Sequence, residues 1–276
     1  MGREYIGGPG AVETAVKAAR RRGMTSSADL LINLPGQSVG EMKDDVRRTS
    51  DLGFSQLCLY HLVMFRGLEV PWARDRDLLA RLPDNELALA NWLEVRDLAR
   101  NLGYRQTTLT NFEREGQFRY EAGSYQPEAF DWVGYGPEAL SCYSDMDAMY
   151  AVKWMNEDSG VRYREAMTTE GSAQARYFIY DPTDMRLLYL TRGLARLQVS
   201  LEAYRRLYGT SLVEDFAQPL EALSAAGLVD VDESFLRLTD RGMFFADSVV
   251  GLLSYQRVGQ IRKGDVLEQA PILRMG

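Results

Sequence analysis

The sequence predicts an α/β protein in which part of a parallel, TIM-type (β/α) barrel precedes a mostly helical, winged-helix-like domain. Short apolar runs alternate with helical periodicities as far as about residue 142. Three consecutive segments of helical spacing then lie between Met185 and Ala225. Two short alternating runs flank Asp232-Glu233-Ser234, a hairpin pattern ahead of a last helix.

In chain order, Ala11, Val12, Ala15, Val16 and Ala19 recur at helical spacing, so Gly10 to Arg22 is an amphipathic helix released by Gly23. Its basic run from Lys17 to Arg22 reads as a solvated face. Ala28 to Leu34 is a nearly continuous apolar strand closed by Pro35-Gly36-Gln37, and a helix from Gly40 to Leu52 follows. Gly53-Phe54 opens a second strand, Gln56 to Tyr60. Pro83-Asp84 signals the start of a long helix that runs to Leu102, and Gly103 releases a third strand, Tyr104 to Leu109. Near Trp132 a strand runs into Gly134-Tyr135-Gly136-Pro137, after which the alternation does not resume. Leu187 to Leu197, Leu201 to Leu207 and Val213 to Leu223 are helical, and Gly227 to Val231 and Phe235 to Thr239 form the hairpin. The expected domains are a partial barrel at 1–145, a connecting segment at 146–184, a winged-helix-like domain at 185–255 and a tail at 256–276.

A formal charge of -7 gives no basic footprint for nucleic acid. No apolar stretch approaches the ~20 residues that span a bilayer, and no signal-peptide core opens the chain, so a cytoplasmic protein with no membrane partner is expected. Cys58 and Cys142 are the two cysteines, too few for a disulfide framework and read as reduced, buried thiols; His61 is the one histidine. Tyr104, Tyr125, Trp132 and Tyr143 read as core or loop packing.

Five segments resemble, in the right order, the motifs of the oxygen-independent coproporphyrinogen III oxidase family of radical S-adenosylmethionine proteins. ADLLINLPGQS (28–38) is similar to its strand-and-turn motif, LCLYHL (57–62) to its tyrosine strand, and GYRQTTLTNFER (103–114) to its Asn-Phe segment. WVGYGPEALS (132–141) is similar to its glycine-rich turn, and GLVDVDESFLRLTDRG (227–242) to its C-terminal hairpin followed by L-T-x-x-G. The resemblance implies S-adenosylmethionine and a [4Fe-4S] cluster held by a C-x-x-x-C-x-x-C loop. That loop is absent from this sequence, so the cluster ligands are expected outside this chain. A fragment of a longer protein, or a shortened relative that has lost the reaction, both follow from this.

The same resemblance implies site residues. Asp29, an acidic residue in an apolar strand, matches the family's partner for the cofactor's ribose or adenosine. Gly134, Gly136, Ala139 and Leu140 match the turn that contacts S-adenosylmethionine, the glycines admitting close approach of a flat ligand or serving a tight turn. Tyr60 and His61 end a strand, where parallel barrels place functional groups. Both are candidate catalytic residues; His61 also stands where the family's backbone faces the cofactor, and its imidazole is able to move a proton or orient a substrate. Gln37 either reaches a ligand or caps the following helix, and Arg114 either pairs with a substrate carboxylate or lies unpaired on the surface. Arg66-Gly67-Leu68 stands where many relatives carry Pro-Gly-Thr.

The expected function is oxidative decarboxylation of porphyrinogen propionates. The alternatives are a methyltransferase or cyclopropanase of natural-product biosynthesis, which the YHLVMFRGL segment favours, and a non-catalytic, heme-binding, chaperone-like protein. The expected partners are a tetrapyrrole or a natural-product intermediate, heme, and a second copy or a complementing chain that covers the open sheet edge of a partial barrel.

Overall fold

The structure, a computed structural model, describes residues 8–62, 74–116 and 131–263. The chain divides into two compact units, Met1–Ser124 and Tyr125–Gly276.

In the first unit, helix α1 (Pro9–Arg21) precedes strand β1 (Ser27–Ile32), helix α2 (Val39–Leu52) and strand β2 (Gln56–His61). A short helix α3 (Arg76–Leu79), helix α4 (Asn85–Asn101) and strands β3 (Tyr104–Gln106) and β4 (Asn111–Arg114) follow. β1 and β2 pair in parallel, with Asp29 opposite Cys58 and Leu31 opposite Tyr60. The sheet order is β1-β2-β4-β3, and β4 runs antiparallel to both neighbours. Thus β1, β2 and β3 share one direction, as βα alternation requires, but a reversed strand is inserted between the last two. The expected strand Tyr104 to Leu109 is therefore a short strand and a turn. Alternation along the strands gives this sheet two faces. Ile32, Leu57, Leu59 and Phe112 lie on the face that packs with Met42 and Val46 of α2 and Trp92 and Val95 of α4, and all eight are buried.

Local chemistry fixes the helix ends. The Ser38 side chain accepts from the Glu41 N–H and the Glu41 carboxylate accepts from the Ser38 N–H, a capping box that starts α2. Gly53, with φ +80°, ends it in the left-handed conformation. Asp84 caps α4 by accepting from the Leu87 N–H. Asn33 is also left-handed, at φ 60°, and stops β1 two residues earlier than the apolar run suggests. Its buried amide donates to Ala88 O at 3.0 Å and accepts from Asn91 Nδ2 at 3.0 Å, tying the end of β1 to α4.

The second unit opens with an antiparallel sheet, order β5-β6-β7, from strands β5 (Leu140–Asp145), β6 (Tyr150–Asn156) and β7 (Gln174–Tyr180), with helix α5 (Gly160–Thr169) between the last two. The residues read from the sequence as a connecting segment thus hold two strands and a helix. Helix α6 (Pro182–Ala195), strand β8 (Gln198–Ser200), and helices α7 (Leu201–Tyr208), α8 (Leu212–Asp215) and α9 (Ala217–Ala225) come next. Strands β9 (Val229–Val231) and β10 (Phe235–Leu238) and helices α10 (Asp240–Phe244) and α11 (Ala246–Lys263) complete it. β8 joins the expected hairpin in a sheet of order β8-β10-β9, the wing of a winged-helix arrangement. Its core holds Leu190, Leu194, Leu236 and the edge-packed rings of Tyr189, Tyr204 and Tyr208. Tyr204 donates to Asp215 Oδ2 at 2.6 Å, and burial raises its phenol pKa.

Candidate functional site

The face of the first sheet turned away from α2 and α4 is polar. By register it carries Ser27, Asp29 and Leu31 of β1, Gln56, Cys58 and Tyr60 of β2, and Asn111 and Glu113 of β4. Ser27 Oγ donates to Gln56 Oε1 at 2.6 Å, and Gln56 Nε2 donates to Glu113 Oε1 at 3.0 Å. Asn111 Nδ2 donates to Cys58 Sγ at 3.0 Å, while Thr108 Oγ1 donates to Asn111 Oδ1 at 2.6 Å. Gln56, Cys58, Asn111 and Glu113 are buried, whereas Asp29 is exposed and Tyr60 is 39% exposed. A hydrogen-bonded polar row thus forms the floor beside an exposed carboxylate and a half-exposed phenol. Burial pushes the Cys58 thiol up; a hydrogen bond with Ser27 opposes that and Asp29 adds to it. Burial, with Cys58 and Asp29 nearby, pushes the Tyr60 phenol up to about 12.

Asp29 and Tyr60 stand out in the sequence, whereas the row between them does not. Its signal was present: Gln56, Cys58 and Tyr60 alternate with Leu57, Leu59 and His61 along a single strand.

His61 and Arg114 are not on this face. His61 pairs in register with Ile32, so alternation turns it to the side opposite Tyr60 at the C-terminal end of β2. Arg114 stands at the end of the sheet opposite Tyr60. Because β4 is reversed, its last residue lies at the N-terminal end of β2, where Arg114 N–H donates to Ser55 O at 3.0 Å. Its guanidinium stands 4.7 Å over the Tyr104 ring, and Nη2 donates to Ser50 Oγ at 2.9 Å. It is not beside Asp29, and its Nη2 is hydrogen-bonded.

Gln37 closes its own turn, Oε1 accepting from the Leu34 N–H at 3.2 Å, and the cap of α2 is Ser38 instead. The turn is held further by Gly36 N–H donating to Arg81 O at 2.9 Å. A cavity of about 600 Å³ adjoins it, lined by Leu34, Pro35, Gln37, Glu41, Asp45 and Leu78.

In the second unit, Gly134, Gly136, Ala139 and Leu140 form one tight structure. A methyl group on Gly134 would overlap the Leu140 carbonyl, so glycine is required for the chain to pass itself there. Gly136 has φ +103°, and its N–H donates to the Tyr163 hydroxyl at 3.3 Å. Asn156 Nδ2 donates to Gly136 O at 3.0 Å, and Ala139 O accepts from the Asn156 N–H at 3.0 Å. Tyr135, between these glycines, and Val133, just before them, are 87% and 66% exposed. Cys142, free like Cys58, is buried with Ala151 and Met185 against Trp132. Tyr104 is buried as expected; Tyr143 is exposed instead of packed. Tyr125 and Arg66-Gly67-Leu68 lie outside the described residues.

Residues 194–245 match the family model described as HemN C-terminal domain. Among solved structures, the chain is similar to coproporphyrinogen III oxidase (HemN) from Escherichia coli, a radical SAM enzyme, at a TM-score of 0.66 over 88% of this chain and 58% of that one. At 19% identity that likeness is one of fold. Among curated proteins, it is 30% identical over 129 residues to the mitochondrial radical S-adenosyl methionine domain-containing protein 1 of Bos taurus. It is 29% identical over 113 residues to the Mus musculus protein of the same name. These matches cover 47% and 41% of this chain, and 29% and 25% of those proteins. The chain thus spans well under two thirds of the relatives it matches. The resemblance read from the sequence is borne out.

An iron-sulfur cluster of the radical SAM kind is held by several thiolates. The sequence has Cys58 in the first unit and Cys142 in the second, both buried, and among the described residues no group of three His, Cys, Asp or Glu side chains is placed to hold a metal ion. These residues do not fit the cluster. They do fit a nucleoside: an exposed carboxylate beside a protonated phenol suits a ribose diol.

Proposed function

We propose that this chain supplies the nucleoside-binding sheet and the C-terminal domain of a HemN-like radical S-adenosylmethionine oxidoreductase acting on porphyrinogen propionates. Cluster thiolates come from residues other than its own. The observation that carries this reading is the exposed Asp29 carboxylate beside Tyr60 on a polar face of parallel strands. When bound beside a reduced cluster, S-adenosylmethionine would supply the radical chemistry of such a protein, the electron coming from the cluster. In this chain, Asp29 accepts from the ribose hydroxyls, Tyr60 donates as a neutral phenol, and the Gln56, Cys58 and Asn111 row keeps the floor rigid. In the second unit, taken by itself, the glycine turn is a candidate cofactor contact, with open space at Gly136 for a flat ring and Gly134, Ala139 and Leu140 forming the turn. His61 at the end of β2 contributes its backbone. The winged-helix arrangement serves as a substrate cover, and the setting is cytoplasmic.

Calorimetric titration of the chain with S-adenosylmethionine tests this. Asp29→Asn is expected to weaken binding roughly tenfold or more, a charge-assisted hydrogen bond being worth about 1.5–3 kcal/mol. Unchanged affinity would remove Asp29 from the site. Anaerobic reconstitution with iron and sulfide is expected to leave the chain without cluster absorbance or nucleoside release; a stable, active cluster would overturn the assignment of its ligands elsewhere.

The misfit to the cluster favours a second reading, a non-catalytic heme-binding protein. Tight heme binding with no affinity for S-adenosylmethionine would select it. Turnover on a natural-product acceptor in place of a porphyrinogen would select a methyltransferase or cyclopropanase. In either case β1, an edge strand among the described residues with Leu31 50% exposed, is proposed to pair with a complementing chain or a second copy. Light scattering that showed a monodisperse monomer would count against that pairing.

A further inference from the structure

The C-terminal end of α2 has no basic residue in its own last turn. Two distant guanidiniums serve it instead. Arg20 Nη2 donates to Leu52 O at 3.3 Å and Gly53 O at 3.2 Å, and Arg114 Nη2 donates to Ser50 O at 3.4 Å and Ser50 Oγ at 2.9 Å. Gly53 leaves the space, since a methyl group there would overlap the Arg20 guanidinium. Both arginines also line an open cavity of about 470 Å³ with Thr25, Ser26 and Ser55. No carboxylate is among its described lining residues; Asp51 and Glu115 adjoin in sequence but do not line it.

Two features ask for an anion. A helix C-terminus carries about half a negative charge, which leaves most of the two guanidinium charges unbalanced. Arg114 Nε is buried and has no partner among the described residues. Such an orphaned donor is unfavourable by about 1–3 kcal/mol, and it marks a guanidinium that the described acceptors of the protein leave incompletely satisfied.

We propose that this cavity binds a phosphate oxyanion, free or as the head of a small organic phosphate. Guanidinium groups pair with phosphate through parallel N–H donors, and the hydroxyls lining the cavity meet the remaining oxygens. A planar carboxylate, with two oxygens, leaves part of that donor set unmet. The site is separate from the Asp29 and Tyr60 face: it opens at the N-terminal end of β2, the end opposite Tyr60.

The test is titration of the full chain with inorganic phosphate and with glycerol 3-phosphate at constant ionic strength, followed by calorimetry and by the melting temperature. Both ligands are expected to bind saturably, to raise the melting temperature and to be displaced by sulfate. Tighter binding of glycerol 3-phosphate assigns the site to an organic phosphate; tighter binding of inorganic phosphate assigns it to the free ion. Thr25→Asp puts a carboxylate into the cavity without touching the arginine contacts to α2. It is expected to weaken phosphate about tenfold without lowering the melting temperature of the phosphate-free protein, since the new carboxylate balances part of the guanidinium charge. Arg114→Lys is the second variant, keeping the charge and losing the fork. No saturable binding, or equal binding by Thr25→Asp, overturns the proposal.

Discussion

Because β2 turns Tyr60 and His61 to opposite faces, only the phenol shares a surface with Asp29. Its raised pKa has a consequence for stability. The folded protein holds the proton up to about 12, whereas an unfolded tyrosine releases it near 10. The unfolded state therefore loses protons first as pH rises, so the contribution is whole below pH 10 and is lost progressively towards pH 12. Buried Tyr204 shares the direction, so the measurement is a difference. Tyr60→Phe is expected to show a shallower fall in denaturant-unfolding free energy over that window than the unsubstituted chain; parallel curves would mean that the phenol is solvated like a free one. At this scale the sequence was partly legible. Asp29 stood out as a carboxylate in an apolar run, but Arg114 carried no sign of which end of the sheet it would reach, since that depends on a strand reversal several residues upstream.

Single helices are held by chemistry from distant parts of the chain. In the second unit, Asp181 and Asp184 form a capping box at the start of α6, and Arg257 of α11 reaches both: Nη2 stands 2.6 Å from Asp181 Oδ2 and 2.6 Å from Asp184 Oδ2. Asp184 is buried. Arg257→Met is expected to destabilise the fold by about 3 kcal/mol, because it strands a buried carboxylate. Chemical denaturation measures this, and a change below about 1 kcal/mol would mark the pair as solvent-screened. The box itself was hidden in the sequence, because Asp-Pro-Thr-Asp lacks the usual Ser or Thr followed by Glu. The β3–β4 hairpin was hidden for a related reason. Its turn, Thr107 to Thr110, has no glycine and is rich in β-branched residues that read as strand. It closes through Thr108 Oγ1, which accepts from the Asn111 N–H at 3.1 Å. β8, three residues long after a left-handed Leu197, is below the length at which alternation becomes visible.

Across the whole chain, each unit has its own buried core: Ile32, Leu57, Val95 and Phe112 in the first, Met185, Leu190, Tyr204 and Leu236 in the second. Leu236→Ala is expected to remove about 2–5 kcal/mol. Hydrogen exchange should speed up at β9 and β10 while β1 and β2 keep their protection. Loss of protection throughout would mean that the two cores melt together. The order of the elements was legible because periodicity and punctuating glycines mark them; pairing was not, since β4 joins β2 across more than fifty residues of separation. That separation matters while the protein is being made. Synthesis proceeds from the N-terminus at about 5–20 residues each second. When β2 leaves the ribosome, β1 is its one partner among the described strands, and the edge that takes β4 waits until Asn111 to Arg114 emerge. For several seconds of translation the nascent chain carries an open ladder of amides and carbonyls beside Leu57 and Leu59, a stretch in which a holding chaperone, or a slower codon, would decide between sheet and aggregate.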